Sequence, residues 1–329
     1  MINAPMTLSR YLNAGGGRET PGEIARILEQ LALAGKRIAS QLRTASLTGE
    51  LGLSGAINVQ GEKVEKLDDW SNQVFVDTFS ETRPVCTLVS EEMDGPRHFD
   101  SHCTGSGYAL LFDPLDGSSN TDVNGILGSI FSIRNRRNRH GAEISDILAA
   151  GTQQLAAGYF IYGPATMMVW TAAAGGVNAF TLDSAIGEFV LWREDIMMPP
   201  RGKAYSVNQG NAAKWHPGAR TLIERLTREG SKYSLRYWGA LVGDFHRCLL
   251  EGGIYMYPGE PGAGKPGGKI RLMYEIAPLA MVAERAGGSA STGRVRALDV
   301  VPAKIHERAP VYIGSREEVG LAEKLKVEG

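Results

Sequence analysis

The sequence is poor in cysteine and has no long apolar segment. Its 329 residues include 3 cysteines, Cys86, Cys103 and Cys248, and no two of them form a Cys-x-x-Cys pair. An odd number of widely spaced cysteines predicts reduced, buried thiols and a cytoplasmic protein. No run approaches the roughly 18 apolar residues of a membrane-spanning helix. The N-terminal segment also lacks the apolar core of a signal peptide.

The sequence has no excess of charge of either sign. The formal net charge is −1, and 43% of the residues are apolar and 22% charged. Domains that bind nucleic acid are usually strongly basic, so this balance argues against a nucleic-acid partner. The composition is typical of a globular protein, and the length suggests two domains or one large one.

Apolar patterning predicts a mixture of helices and strands. Helices are predicted over 24–42, 64–81, 217–229 and 274–287. Strands are predicted over 86–90, 108–113, 129–133, 156–163, 167–172 and 177–183. The Gly-, Ser- and Thr-rich stretch 46–61 predicts a loop, and the Pro/Gly-rich break at 198–203 is a candidate domain boundary. This pattern indicates an α/β or α+β fold of layered sheets and helices.

The stretch FDPLDGSSN at 112–120 contains two acids and a turn of small residues. Asp113 and Asp116 end one apolar run, and Glu91 and Glu92 end the run before it. Carboxylates in this density suit a hard cation such as Mg²⁺ or Mn²⁺, and consecutive backbone N–H groups after a glycine suit a phosphate. Alone, an Asp-Pro or Asp-Gly pair is as often a simple turn. Acids after two separate runs favour metal-assisted hydrolysis of a phosphate ester.

Three other motifs have simpler interpretations. GEPGAGKP at 259–266 nearly matches a phosphate-binding loop, but Pro266 stands where a hydroxyl should meet Mg²⁺, so an exposed turn is predicted. His98 and His102 have the spacing of zinc ligands on a helix, but their segment has the composition of a loop. The arginine-rich run 134–140 could hold an anion, and a solvated loop is its default interpretation.

A series of longer motifs runs through nearly the whole chain. They are KLDDWSN (66–72), LVSEE (88–92), FDPLDGSSN (112–120), AAGYFIYGPATM (156–167), LDSAIGEF (182–189), YSVNQG (205–210), GGIYMYP (252–258), GGKIRLMYE (267–275) and AERAGG (283–288). With these motifs the chain resembles a class I fructose-1,6-bisphosphatase. The DPLDGSS element is shared in looser form with the wider superfamily of metal-dependent sugar and inositol phosphatases, whereas GGKIRLMYE is much more specific.

The resemblance implies a sugar phosphatase fold, an α-β-α-β-α sandwich. An N-terminal regulatory domain would cover 1–199, and a C-terminal sugar-phosphate domain 200–329. The implied activity is hydrolysis of the 1-phosphate of D-fructose 1,6-bisphosphate by Mg²⁺-activated water, in carbohydrate metabolism such as gluconeogenesis or the Calvin cycle. Two or three Mg²⁺ ions per subunit are implied, and Mn²⁺ can substitute. The implied metal ligands are Glu62, Glu91, Asp113, Asp116, Glu275 and the carbonyl of Leu115.

The resemblance also implies roles for residues around the metals. Asp68 and Glu92 match the acids that take the proton from the attacking water. The implied substrate-binding residues are Asp116, Gly117, Ser118, Ser119, Asn208, Arg236, Tyr237, Leu241, Tyr257, Lys269 and Arg271. Among them, the amides of Ser118 and Ser119 would hold the 1-phosphate. Arg236 matches an arginine that reaches the 6-phosphate pocket of a neighbouring subunit, which implies a homo-oligomer, typically a tetramer.

Several positions depart from the family pattern. Glu62 and Asn211 stand where the family usually has an aspartate metal ligand and a phosphate-binding tyrosine. The positions that match the AMP site carry Ala25, Gly107 and Asn135, although Glu23 and Tyr108 fit. Weak or altered AMP inhibition is therefore predicted.

Other activities are compatible with parts of this pattern. Hydrolysis of sedoheptulose 1,7-bisphosphate, alone or as a second activity, is the nearest alternative. GGKIRLMYE and YSVNQG disfavour an inositol-phosphate phosphatase. The intact set of acids disfavours a catalytically silent sugar-phosphate or nucleotide sensor on the same fold.

Overall fold

The computed structural model describes residues 4–16, 20–49, 51–57, 63–81, 84–99, 103, 107–136 and 144–329. Its α-helices are α1 (Leu8–Asn13), α2 (Gly22–Leu42), α3 (Ala45–Thr48), α4 (Lys66–Ser80), α5 (Ile144–Ile147), α6 (Pro217–Thr227), α7 (Leu241–Glu251), α8 (Ala277–Arg285) and α9 (Arg316–Lys324). Its strands are β1 (Leu53–Ile57), β2 (Lys63–Glu65), β3 (Val85–Ser90), β4 (Arg97–His98), β5 (Tyr108–Asp116), β6 (Leu127–Asn135), β7 (Gln154–Tyr162), β8 (Thr166–Ala172), β9 (Asn178–Asp183), β10 (Glu188–Arg193), β11 (Ala204–Ser206), β12 (Ser234–Leu235), β13 (Ile254–Tyr257), β14 (Ser289–Ser291) and β15 (Val311–Gly314). Within the described ranges, no helix combines the length and the apolarity that crossing a membrane requires.

The strands form two large mixed sheets. The first has eight strands in the order β10-β9-β8-β7-β6-β5-β3-β4, and its one parallel pair is β3 with β5. The second has five strands in the order β12-β11-β13-β15-β14. Nearly every residue of β3, β5, β6 and β7 is buried. Such continuous burial is typical of strands that are covered on both faces, and it explains their unbroken apolar runs.

Helices cover both sheets and fill the space between them. The apolar stripe of α2 packs with α4 on the outer face of the first sheet, where Phe75 stacks on Phe112 at 4.5 Å between ring centroids. Helices α7 and α8 lie between the sheets, and α6 and α9 cover the outer face of the second. The result is the expected α-β-α-β-α sandwich.

Most elements predicted from the sequence are present, with three local differences. The stretch 46–61 is not simply a loop, because it contains the end of α3 and all of β1. The helix predicted over 274–287 begins with a π-helical turn at Leu272–Ile276. The run 134–140 does not begin as a solvated loop, since Arg134 and Arg136 are buried and Arg134 donates to the carbonyl of Ala149.

Of the other two motifs, the stretch 259–266 is the predicted turn, whereas His98 lies on a strand rather than in the predicted loop. The stretch 259–266 is a largely exposed turn with a bridge between Glu260 and Lys265, rather than a strand-to-helix phosphate loop. His98 lies on β4 with its ring nitrogen 3.1 Å from the hydroxyl of Thr87. His102 lies outside the described residues.

The cysteine prediction is wrong for two of the three residues. Cys86 and Cys103 form a disulfide, whereas Cys248 is a buried free thiol, as expected. Because β3 and β5 are parallel, the chain must return to the N-terminal end of β3 before β5 begins, and Cys103 lies on this returning segment. Sequence separation alone does not show this return, so an odd cysteine count was a poor guide.

Candidate active site

The acids of the two apolar runs meet at one edge of the first sheet. Strands β3 and β5 are parallel neighbours, so Glu91 follows one strand beside the point where Asp113 lies on the other. The amide of Glu91 donates to the carbonyl of Phe112 at 3.2 Å. Pro114 interrupts the regular pairing between Asp113 and Asp116, and the Leu115 amide donates to the Asp113 carboxylate at 3.0 Å.

A third acid joins this edge from a distant part of the sequence. Carboxylate oxygens of Glu91, Asp113 and Glu275 lie within 4.8 Å of one another, and all three residues are buried. The π-helical turn places Glu275 there, and its carboxylate accepts a 2.6 Å hydrogen bond from the Arg271 amide. Hard oxygen donors at this separation fit a divalent cation such as Mg²⁺ or Mn²⁺.

The carboxylates of this acidic cluster repel one another, and Arg271 offsets part of that repulsion. The guanidinium of Arg271 forms an ion pair with Glu91 and lies 3.7 Å from Glu275. Burial, and then the charge of Glu91, raise the pKa of Asp113 well above its usual range. Burial also raises the pKa of Glu275 to about 8, although Arg271 opposes the shift. Such mutual repulsion favours a bound cation, which would lower these pKa values again.

Asp68 approaches the cluster from the N-terminal end of α4. Its carboxylate accepts a 3.2 Å hydrogen bond from the Glu65 amide in a reciprocal capping arrangement. Burial, and then the charge of Glu92, raise the pKa of Asp68 to about 8, and the Ser118 side chain opposes this shift. Asp68 therefore lies close to both Glu92 and Ser118.

The small residues after Asp116 form a tight turn. Gly117 has a left-handed backbone with φ of 79°, and Ser118–Asn120 is a short 3-10 turn. This conformation suits glycine, since a side chain at Gly117 would also place its Cβ 2.5 Å from the Cβ of Ala240. The turn presents consecutive backbone amides beside the acids, which is a geometry suited to a phosphate.

The candidate site is a single cavity of about 630 Å³. Its lining includes Asp68, Glu91, Glu92, Asp113, Leu115, Asp116, Gly117, Ser118, Ser119, Asn208, Tyr237, Leu241, Tyr257, Lys269, Arg271 and Glu275. The structure thus brings together nearly all the residues nominated from the sequence. Arg236 does not line this cavity, and its guanidinium donates to the carbonyl of Leu235. Glu62 lies outside the described residues.

Four further residues line the cavity without having been assigned a site role from the sequence, namely Glu65, Gly239, Tyr255 and Ile270. Tyr255 lies two residues before Tyr257 on β13, and strand periodicity places such side chains on one face. Gly239 lies two residues after Tyr237 in the same loop, and Ile270 lies between Lys269 and Arg271. Strand alternation could have found Tyr255, whereas Gly239 and Ile270 carry no chemical signal of their own.

The positions compared with the AMP site show one unexpected relationship. A Cβ at Gly107 would lie 2.2 Å from the sulfur of Cys86, so the disulfide leaves no room there for a longer side chain. Tyr108 donates a 2.9 Å hydrogen bond to Glu23. These contacts fit the absence of a family lysine at position 107, and weak AMP inhibition stays a prediction.

This layered fold, with buried acids beside the Ser118–Asn120 turn, is typical of a sugar phosphatase. The family described as "Fructose-1-6-bisphosphatase, N-terminal domain" matches residues 6–194, and its C-terminal domain matches residues 198–326. The chain belongs to the fructose-1,6-bisphosphatase family.

Relatives and solved structures are similar over nearly the full chain. "Fructose-1,6-bisphosphatase class 1" of Trichormus variabilis is 47% identical over 93% of this chain and 87% of its own length. The protein of the same name from Synechococcus sp. strain JA-2-3B'a(2-13) is 46% identical over 97% of this chain and 96% of its own. The holo crystal structure of Leishmania major fructose-1,6-bisphosphatase has a TM-score of 0.92 at 38% identity, and covers 98% of this chain and 99% of that chain.

Proposed function

We propose that this protein hydrolyses the 1-phosphate of D-fructose 1,6-bisphosphate to give fructose 6-phosphate and inorganic phosphate. One observation carries the proposal: a single cavity joins the buried acids Glu91, Asp113 and Glu275 to the Ser118–Ser119 turn and to Lys269. The cavity therefore offers a metal-binding acidic end and a second place for a phosphate. This is the arrangement that a sugar with two phosphates requires.

The residues at the acidic end of the cavity would have three separate roles: metal binding, proton transfer and phosphate binding. Glu91, Asp113, Glu275, Asp116 and the Leu115 carbonyl would hold two or three divalent cations, with Mg²⁺ proposed and Mn²⁺ as a substitute. When bound, such ions neutralise phosphate charge and lower the pKa of water. Glu92 and Asp68 would orient the attacking water and accept its proton, because both face the cluster and proton transfer needs a nearby base. The Ser118 and Ser119 amides would hold the phosphate that is removed.

The other residues of the cavity would bind the rest of the substrate. Asn208, Tyr237, Tyr257 and Lys269 line the part assigned to the 6-phosphate. Asp116 and Leu241 would contact the sugar, and Arg271 would lie between sugar and acids. Arg236 would serve the site of a neighbouring subunit in a homotetramer, a role supported by its absence from its own cavity.

Phosphorus NMR of the reaction products tests the proposal. The protein is incubated with Mg²⁺ and fructose 1,6-bisphosphate, and fructose 6-phosphate is the expected organic product. Fructose 1-phosphate as product, or no release, would overturn it. A parallel measurement of kcat/KM on sedoheptulose 1,7-bisphosphate decides whether that sugar is a second substrate.

A further inference from the structure

The loop that carries Tyr237 runs alongside the segment 116–120, at the end of β5 in the first sheet. The Asp116 carboxylate accepts hydrogen bonds from the amides of Leu241 and Val242 at 3.2 and 2.7 Å. One residue further, Gly117 packs against Ala240, closely enough that a Cβ would clash. The segment 236–242 is therefore fastened to the segment 116–120, and each carries residues assigned to a different phosphate.

The last contact between these two segments is a hydrogen bond to the main chain of Trp238. The side-chain amide of Asn120 donates 3.1 Å hydrogen bonds to the carbonyls of Trp238 and Ile126. Asn120 directly follows Ser118 and Ser119, so it links the turn for one phosphate to the main chain beside Tyr237. Trp238 is 46% exposed, so these hydrogen bonds add to the partial burial of its side chain in holding this peptide.

Asp244 holds the same residue from the opposite side. The Trp238 amide donates to both carboxylate oxygens of Asp244, at 2.9 and 3.2 Å. Asp244 is only 1% exposed and lies in the first turn of α7. Burial raises the pKa of Asp244 to about 7, and the Trp238 amide opposes that shift, as expected for an amide directed at a carboxylate. Asp244 does not line the cavity.

We propose that Asp244 and Asn120 are positioning residues that clamp Trp238 between them, fix the distance between the two phosphate pockets, and so favour a sugar with a phosphate at each end. This inference rests on the proposed function. Neither residue needs to touch the reacting atoms. Asp244 acts through Tyr237 and Gly239, which lie on either side of Trp238 and line the cavity.

Steady-state kinetics on two substrates test the proposal. Fructose 1,6-bisphosphate spans both pockets, whereas fructose 1-phosphate lacks the second phosphate. In Asp244→Ala, the loss of a buried hydrogen-bond acceptor is expected to raise KM for the bisphosphate roughly 10-fold with little change in kcat. The value of kcat/KM for fructose 1-phosphate should stay within about twofold of wild type. Asp244→Asn keeps an acceptor for the Trp238 amide and should restore much of the bisphosphate KM.

Two further variants provide an independent test and a control. Asn120→Ala releases Trp238 from the other side and should give the same pattern, which matters if Asp244→Ala does not fold. Ser315→Ala removes a buried hydroxyl that bonds to Gly253 and Pro199 away from the cavity, and it should change neither substrate's kinetics. Equal losses on both substrates in the Asp244 and Asn120 variants would overturn the positioning role. A wild-type protein that releases no phosphate from the bisphosphate would instead overturn the proposed function.

Discussion

The amide of Val242 donates a 2.7 Å hydrogen bond to the carboxylate of Asp116. Asp116 ends β5 in the first sheet, and Val242 lies in the first turn of α7, which packs between the two sheets. The positive end of the helix dipole thus faces an acid of the candidate metal site. Burial raises the pKa of Asp116 to about 6, and the Val242 and Leu241 amides oppose the shift. One carboxylate therefore connects the acidic edge to the segment that carries Tyr237, which we assign to the proposed second phosphate pocket.

Glu275→Gln is expected to weaken binding of divalent cations. Glutamine keeps the shape and still accepts from the Arg271 amide, but it removes one of the three clustered charges. We expect Mn²⁺ affinity, measured by calorimetry without substrate, to fall by at least the roughly 10- to 100-fold typical of mutating residues that support metal ligands. Glu251→Gln, at an exposed pair with Arg247, is the matched control and should bind as wild type. Unchanged affinity in Glu275→Gln would contradict the assignment.

Reduction of the Cys86–Cys103 bond is expected to destabilise the protein. The bond closes a loop with a sequence separation of 17 residues, for which chain-entropy arguments give about 3 kcal/mol. The midpoint of urea unfolding should fall when dithiothreitol is added to wild type, and Cys103→Ser should be insensitive to it. Thiol titration of the denatured, unreduced protein should find one thiol, Cys248. A count of three thiols would contradict the disulfide.

His246 is expected to make stability fall in acid. Its ring nitrogen is 2.7 Å from the hydroxyl of Tyr159, and burial lowers its pKa from 6.5 to about 4. Since the unfolded chain takes up the proton near pH 6.5 and the folded protein does not, the stabilisation is complete above pH 6.5. It is lost progressively as pH falls toward 4, by up to about 3 kcal/mol.

The measurement for His246 is a comparison with His246→Gln, which cannot titrate. Unfolding free energies are determined at pH 7 and pH 4.5 in the presence of a chelator, so that metal binding does not contribute. Between these two conditions, wild type should lose about 2 to 3 kcal/mol more than the variant. Parallel pH profiles would show that His246 is not buried as a neutral ring.

A mixture of two inactive variants tests whether Arg236 serves a neighbouring subunit. Arg236→Ala lacks the residue proposed to be donated, and Glu92→Gln lacks the proposed base of the subunit's own site. In hybrids assembled from an equal mixture, about a quarter of the sites should contain both native residues if pairs are exchanged at random. Activity should therefore rise well above that of either variant. A mixture no more active than Arg236→Ala alone would place Arg236 outside the shared site.

The sequence predicted the local elements and the acids better than the connections between them. The apolar stripe of α2 predicted a helix, and the apolar run 108–113 predicted a strand. Both predictions succeeded because burial determines where apolar residues recur along the sequence. The proximity of Glu91 to Asp113 could be predicted because each acid lies at the end of a predicted strand. The pairing of Cys86 with Cys103 could not be predicted, because it depends on which strands are parallel neighbours. Likewise, the clamp on Trp238 depends on packing between segments more than 100 residues apart, which has no local signature.

We propose that the buried acids bind a metal that activates water for attack on a sugar phosphate. The most direct test is phosphate release from fructose 1,6-bisphosphate with and without Mg²⁺, in wild type and in Glu92→Gln. We expect release by wild type only with Mg²⁺, and a loss of roughly 100- to 10,000-fold in the variant, as for removal of a general base. Wild-type release that does not depend on Mg²⁺, or a fully active Glu92→Gln, would contradict the claim.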